Sequence, residues 1–123
     1  MPTTIGGAHA PAETHLAKLR LGLYRVLTSI EAAARVHSAA PAHDWHDVGR
    51  KADKRIMALR ELLEEVVGAS PASRKKIVAI RAAADALRVA YDDMRTRAET
   101  KRSAAQSVLR KVDVVKANSL EWD

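Results

Sequence analysis

Cysteine and phenylalanine are absent from the 123-residue sequence, and tryptophan and tyrosine occur only twice each. Without cysteine the chain has no disulfide, no thiol nucleophile and no thiolate ligand for a metal ion. The most abundant apolar residue is alanine, whose side chain buries little area, and hydrophobic stabilisation scales with the apolar area buried. We therefore expect a thin core, which self-association would reinforce.

Proline and glycine are also scarce, with four and five copies that fall almost wholly outside the apolar-periodic segments. The strong helix formers Ala, Leu, Arg, Lys and Glu dominate the rest, which predicts an all-α protein and excludes a sheet protein. No apolar run is long enough to cross a membrane, and the N-terminus does not resemble a signal peptide. We expect a cytoplasmic location or a place within a macromolecular particle.

The beginning of the chain predicts an arm and two amphipathic helices of ordinary length. Residues 1–10 contain two adjacent glycines and lack apolar periodicity, so we expect an arm that is flexible or ordered by a partner. Helix A covers 11–39 and helix B covers 44–67, and together they form an antiparallel hairpin. Apolar residues recur at steps of three and four along both helices. The stripes are Leu16, Leu19, Leu23, Val26, Ile30 and Ala33 in helix A, and Trp45, Ala52, Ile56, Leu59, Leu63 and Val66 in helix B.

Capping residues define the boundaries of these helices. Pro41 ends helix A, and Asp44 is a suitable N-cap for helix B. Gly68 suits the left-handed residue just past the end of a helix. Ser70 and Pro71 then match an N-cap followed by proline in the first helical position, which predicts the start of a third helix.

Helix C, over 71–118, carries the longest pattern in the chain, followed by a tail at 119–123. From Ile77 to Val115 the apolar positions alternate steps of three and four, interrupted only by Lys101. Such a repeat of 3.5 residues is typical of a coiled-coil seam. One continuous helix would span about 70 Å, far beyond the hairpin. The predicted fold is therefore an antiparallel helical hairpin plus one long heptad-patterned C-terminal helix.

A capping box formed by Ser103 and Gln106 leaves an alternative open, a four-helix bundle with a turn near 100–103. A row of charges that crosses this point favours the continuous helix, because its neighbouring residues attract one another only on an unbroken helical surface. The row consists of Arg81, Asp85, Arg88, Asp92, Arg95, Glu99 and Arg102.

The second half of a continuous helix C would expose apolar residues to water, so we predict that another subunit covers them. The predicted function is a non-enzymatic structural or assembly protein that binds itself, other protein subunits or both, such as a virion or secretion-apparatus component. The predicted interface comprises Met94, Ala98, Lys101, Ala105, Val108, Leu109, Val112, Val115 and Trp122.

The net charge of +6 and a pI near 10 support an alternative function, an accessory protein that binds nucleic acid. Arginines spaced by seven residues in helix C do not carry this alternative, because carboxylates lie one turn away from them. Two cationic clusters without such neighbours are the candidate contacts, namely Arg50, Lys51, Lys54 and Arg55 in helix B, and Arg74, Lys75 and Lys76 at the start of helix C.

A second alternative is a small helical enzyme or metal-binding bundle. Its weak candidate ligands are His37, His43, His46 and Asp47, whose spacing permits a divalent ion but does not specify one. No nucleophile with an adjacent base, no carboxylate pair and no glycine-rich phosphate loop is present. We therefore expect neither a cofactor nor a catalytic residue.

Overall fold

The computed structural model describes the backbone of residues 2–39, 45–66, 70–96 and 101–123, and the side chains of 14–37, 47–66, 70–96 and 103–123. These residues form four α-helices, followed by a short 3₁₀ helix, and include no β-strand. The α-helices are α1 (Pro2–Ala39), α2 (Trp45–Glu65), α3 (Pro71–Thr96) and α4 (Lys101–Ala117), and the 3₁₀ helix is Ser119–Glu121. The prediction of an all-α protein is confirmed.

The first helix begins earlier than predicted. α1 starts at Pro2 rather than at residue 11, so most of the predicted arm over 1–10 belongs to the helix backbone. Proline is tolerated in the first turn, where its missing N–H would have no partner. The two adjacent glycines lower the helix propensity by about 1 kcal/mol each, but propensity is a weak constraint once a long helix propagates.

α1 and α2 run antiparallel and approach each other closely at Gly22. A Cβ atom at Gly22 would lie only 3.0 Å from Cδ1 of Leu59, so the missing side chain lets the two helices meet. Farther along, Nη1 of Arg55 donates a hydrogen bond to Oγ of Ser29 over 2.9 Å. Residue numbers that rise along α2 thus meet residue numbers that fall along α1.

The third helix begins as its capping residues predict. The backbone N–H of Ser73 donates to Oγ of Ser70 over 3.2 Å, and the N–H of Arg74 donates to the carbonyl of Ser70 over 2.7 Å. Pro71 occupies the first helical position. Predicted caps elsewhere, Asp44 and Gly68, lie outside the described residues.

The single helix predicted over 71–118 is not what the described residues form. α3 ends at Thr96, α4 begins at Lys101, and α4 packs beside both α3 and α1 instead of extending α3. Nζ of Lys116 lies 2.8 Å from Oε2 of Glu31, which places the end of α4 against the C-terminal part of α1. The apolar residues of α3 and of α4 keep the same spacing of three and four, because each of the two helices buries one face.

The charge row that favoured a continuous helix is divided between two kinds of contact. Arg88 pairs with Asp92 along α3 at 3.5 Å, as expected for neighbours one turn apart. Arg95 reaches Asp53 of α2, with Nη1 and Oδ1 separated by 2.9 Å. Glu99 lies outside the described residues. A charge row with alternating signs is therefore compatible with a helix that ends at Thr96 as well as with one that continues.

Most of the core lies around α1, which contacts each of the other three α-helices, whereas α2 and α3 touch each other much less. Four fully buried residues of α1 are Leu19, Leu23, Ile30 and Ala33. The other helices add large buried side chains, including Leu59, Ile80, Leu87, Tyr91, Met94, Val108 and Val112.

A pair of valines in α4 tests this packing. Replacing the fully buried Val112 with alanine leaves a cavity and should lower the free energy of unfolding by about 2 kcal/mol. The Val114→Ala control removes the same atoms from a side chain that is 50% exposed and should change it by less than about 0.5 kcal/mol. Urea unfolding at two protein concentrations measures both. Equal effects of the two substitutions, or a Val112→Ala effect that vanishes on dilution, would contradict burial within one chain.

Candidate interaction surfaces

The predicted oligomer interface lies within the chain's own core. Met94, Ala105, Val108, Val112 and Val115 are buried by neighbouring helices of the same chain. Leu109 is partly buried against the same core, whereas Ala98 and the side chain of Lys101 lie outside the described part. An apolar stripe cannot by itself distinguish a partner subunit from a neighbouring helix, and here it fits the neighbouring helix.

The tail residue Trp122, also predicted at the interface, packs on its own chain. Its side chain is only 1% exposed and meets the ring of Tyr24 edge to face, with centroids 5.0 Å apart. The hydroxyl of Tyr24 donates a long hydrogen bond of 3.4 Å to Oδ2 of Asp123. The indole nitrogen Nε1 is buried without a hydrogen-bond partner, so Trp122 stabilises this contact through apolar area and ring geometry.

Tyr91 and Arg95 join the C-terminal half of α3 to α2. The hydroxyl of the fully buried Tyr91 donates to the carbonyl of Gly49 over 3.2 Å, and the guanidinium of Arg95 lies 5.4 Å from the Tyr91 ring centre. Burial, supplemented by the carboxylate of Asp53, raises the pKa of Tyr91 to about 12. The tyrosine is therefore a neutral hydrogen-bond donor in the fold, not an acid or base poised for catalysis near neutral pH.

Away from the contacts of Tyr91 and Arg95, a groove of about 340 Å³ separates α2 from α3. Its apolar lining comes from three helices, and charged residues of both signs form its rim. The apolar residues are Val26, Ile56, Leu59, Leu63 and Ala84, and the charged residues are Arg60, Glu64, Arg81, Asp85 and Arg88.

Beside this groove, the outward side of α3 exposes apolar side chains. Val78 is 60% and Val89 is 59% exposed, and Ala82 between them is exposed as well. Helical geometry places these residues on one stripe, with four members of the predicted charge row along its α2 side. Those four are Arg81, Asp85, Arg88 and Asp92.

The two predicted cationic clusters lie on different helices, α2 and α3. At least ten residues of α2, about 15 Å, separate Arg55 from the end of that helix, and Arg74 to Lys76 follow only in α3. Two members of the first cluster have partners within the chain, because Arg50 pairs with Asp47 at 2.8 Å and Arg55 bonds to Ser29. These contacts engage two cations of the first cluster, and nucleic-acid binding through the two clusters stays a prediction.

Two cations of α1, and not the second predicted cluster, lie beside Arg55 of the first cluster. Lys18, Arg25 and Arg55 line a groove of about 280 Å³ between α1 and α2, and Leu21 lies among them with 51% of its side chain exposed. Sequence reasoning missed Lys18 and Arg25 because each helix was considered alone. Their spacing of seven residues, which puts both on one face of α1, was the available signal.

The weak metal candidates are not assembled into a site by the described residues. His37 is buried in α1, Asp47 is exposed and paired with Arg50, and His43 and the side chain of His46 lie outside the described part. Over the side chains that are described, no group of three or more histidine, aspartate or glutamate residues could hold a metal ion. Within the same limits, no helix is long and apolar enough to cross a membrane.

Comparisons with protein-family models, curated proteins and solved structures found no match to this chain.

Trp122 offers a direct test of the tail contact. The Trp122→Ala substitution should lower the free energy of unfolding by about 3 kcal/mol, because it removes a fully buried aromatic ring. Trp122→Phe retains a ring against Tyr24 and removes the buried N–H that lacks a partner, so its cost should be much smaller. Urea unfolding followed by circular dichroism gives both values. Similar stabilities of the alanine variant and the native chain would mean that the tail does not pack.

Tyr91 should give the alkaline stability profile a specific limb. Because the folded-state pKa is raised from 10.0 to about 12, the folded chain holds the phenolic proton at pH values where the unfolded chain has lost it. The stabilisation from this group is complete below pH 10 and disappears as the pH rises to 12. The lysines titrate in the same pH range, and their contribution to stability cancels when the native chain is compared with Tyr91→Phe, because both proteins contain them. The difference should shrink with pH, and a constant difference would refute the assignment.

Proposed function

We propose that this protein is a non-enzymatic assembly protein whose four helices close as an up-down-up-down bundle and whose copies associate through the outward side of α3. The supporting observation is the stripe of Val78, Ala82 and Val89, which stays exposed although the α4 seam is buried. Exposed apolar side chains beside alternating charges are typical of a helix that packs on another helix.

Charge order supports a second copy of the chain as the partner. The row has the signs plus, minus, plus and minus at Arg81, Asp85, Arg88 and Asp92. Reading it backwards inverts every sign, so an antiparallel copy places Arg81 against Asp92 and Asp85 against Arg88. Both pairs share one midpoint, between Ala86 and Leu87.

An antiparallel two-fold arrangement also brings the two rows to the same side of the interface. A parallel pair would place each row against the opposite flank of the other helix. The same midpoint sets Val89 of each copy near Ala82 of the other, which covers these two residues of the stripe, and it places Val78 level with Arg95 of the other copy. A closed, isologous dimer results, in which every contact occurs twice.

The expected dimer is weak and depends on salt. Exposed ion pairs contribute roughly 0.2 to 1 kcal/mol each and are screened within about 10 Å at 0.1 M salt. A single helix pair also buries less area than a stable protein interface requires. Such an interface suits a component that assembles at high local concentration or beside other subunits.

A charge exchange between two variants tests the proposal. The double substitution Arg81→Glu and Arg88→Glu makes the row acidic, and Asp85→Arg with Asp92→Arg makes it basic. Each variant alone should dimerise at least about tenfold more weakly than the native chain, because like charges now face each other. An equimolar mixture should dimerise again, because the opposite rows then pair. Sedimentation over a range of concentrations gives the dimer dissociation constants of the native chain, of each variant and of the mixture.

The control is Lys111→Glu, a charge reversal at an exposed position of α4, which should leave the dimer unchanged. A native chain that stays monomeric at every concentration would overturn the proposal. So would a mixture that remains monomeric while the native chain dimerises, because the charge row would then not lie at the interface.

A further inference from the structure

The groove between α1 and α2 lies on a different side of the molecule from the α3 stripe. Its floor contains Gly22, Leu59 and Leu62, and Leu21 and Ala58 flank it. The absence of a side chain at Gly22 brings the helix backbones together and leaves a shallow apolar trough above them. A trough between two antiparallel helices is a shape into which a third helix can be laid.

The charges around this groove all have one sign. Its charged lining residues are Lys18, Arg25 and Arg55, and no acidic residue is among them. Arg55 is held by Ser29 at 2.9 Å and by the carbonyl of Arg25 at 3.4 Å, so its guanidinium is fixed at the edge of the trough. Lys18 and Arg25 are exposed, and no intrachain ion pair engages them among the described residues. The groove therefore complements an anionic ligand.

The exposed apolar residues distinguish between anionic ligands. Leu21 is 51% and Met57 is 55% exposed. The surface around Met57 carries charges of both signs, from Arg50, Lys54, Asp53 and Glu61. A nucleic acid would gain nothing from Leu21 or Met57, and no aromatic ring lines either depression to stack on a base. A protein segment that presents both carboxylates and apolar side chains matches the positive charge of the groove and also covers its exposed apolar side chains.

The spacing of the cations suits a helical ligand. Lys18 and Arg25 are seven residues apart on α1, which is about 10.5 Å along the helix axis. Carboxylates seven residues apart on a bound helix lie at the same separation and on one face. Apolar residues three and four positions away from them would lie in the trough against Leu21, Ala58 and Leu62.

From these observations we infer that the α1–α2 groove binds an acidic amphipathic helix from another protein, with its apolar face in the trough and its carboxylates on Lys18, Arg25 and Arg55. The site is separate from the self-association surface, so the two activities can occur together. Binding at one surface and assembly through the other would make the protein an adaptor that clusters its partner.

The probe is a fluorescently labelled synthetic peptide of about four helical turns, made of Leu, Ala and Glu, with the Glu residues seven apart. Its affinity is measured by anisotropy. The combined substitution Lys18→Glu and Arg25→Glu should weaken binding by more than about tenfold, the equivalent of about 1.4 kcal/mol. Lys111→Glu, an equal change per residue on α4, should leave the affinity unchanged. A matched peptide with Lys in place of Glu should bind the charge-reversed variant instead.

The result that overturns the inference is peptide binding that is absent, or that is equal for the groove variant and the α4 variant. Tighter binding of duplex DNA, lost with the same groove substitutions, would also overturn it and identify a phosphate-binding surface. Circular dichroism and urea midpoints verify that each variant is folded. Repeating the titration in the Arg81→Glu and Arg88→Glu background separates peptide binding from self-association, since each can then fail alone.

Discussion

The fold depends on the burial of one apolar face of α1 by three other helices. Leu19, Leu23 and Ile30 have no exposed surface, and α1 as a whole contacts α2, α3 and α4. Alanine is the commonest apolar residue, so each contact buries little area and many contacts must be made at once. Close approach compensates in part, as at Gly22, where α1 and α2 meet without an intervening side chain. Removal of α4 from this arrangement would expose a full face of α1.

This arrangement explains why the molecule has two distinct outer surfaces. Helices α2 and α3 both pack on α1 but contact each other mainly where Tyr91 reaches Gly49 and Arg95 reaches Asp53. The α3 stripe of Val78 and Val89 therefore lies at the edge of an incompletely closed side, beside charges of both signs. The α1–α2 side is closed tightly, and the charged residues that line its groove are all cations. Mixed signs suit a second copy of the same chain, and a single sign suits a partner of opposite charge.

The sequence was sufficient for the helices and for the boundary at Ser70 and Pro71, because helix propensity and capping act over a few neighbouring residues. It was insufficient for the course of the last third. Met94 and Val108 fit one apolar stripe whether the helix continues or ends, since a steady period of 3.5 describes a buried face and not the neighbour that buries it. The pairing of Arg95 with Asp53 is likewise a tertiary contact without a local signal. The partnership of Lys18 and Arg25 with Arg55 arises only when α1 meets α2.

Helix α4 lies beside α3 within one chain, which makes the valine stripe of α4 internal. The native chain has no cysteine, so cysteines placed at the exposed residues Ala72 and Ala117 would carry the only two spin labels. Pulsed electron resonance should give a distance of about 20 Å, because two helices of unequal length lie side by side. A distance near 68 Å, the length of one continuous helix between these residues, would contradict the account.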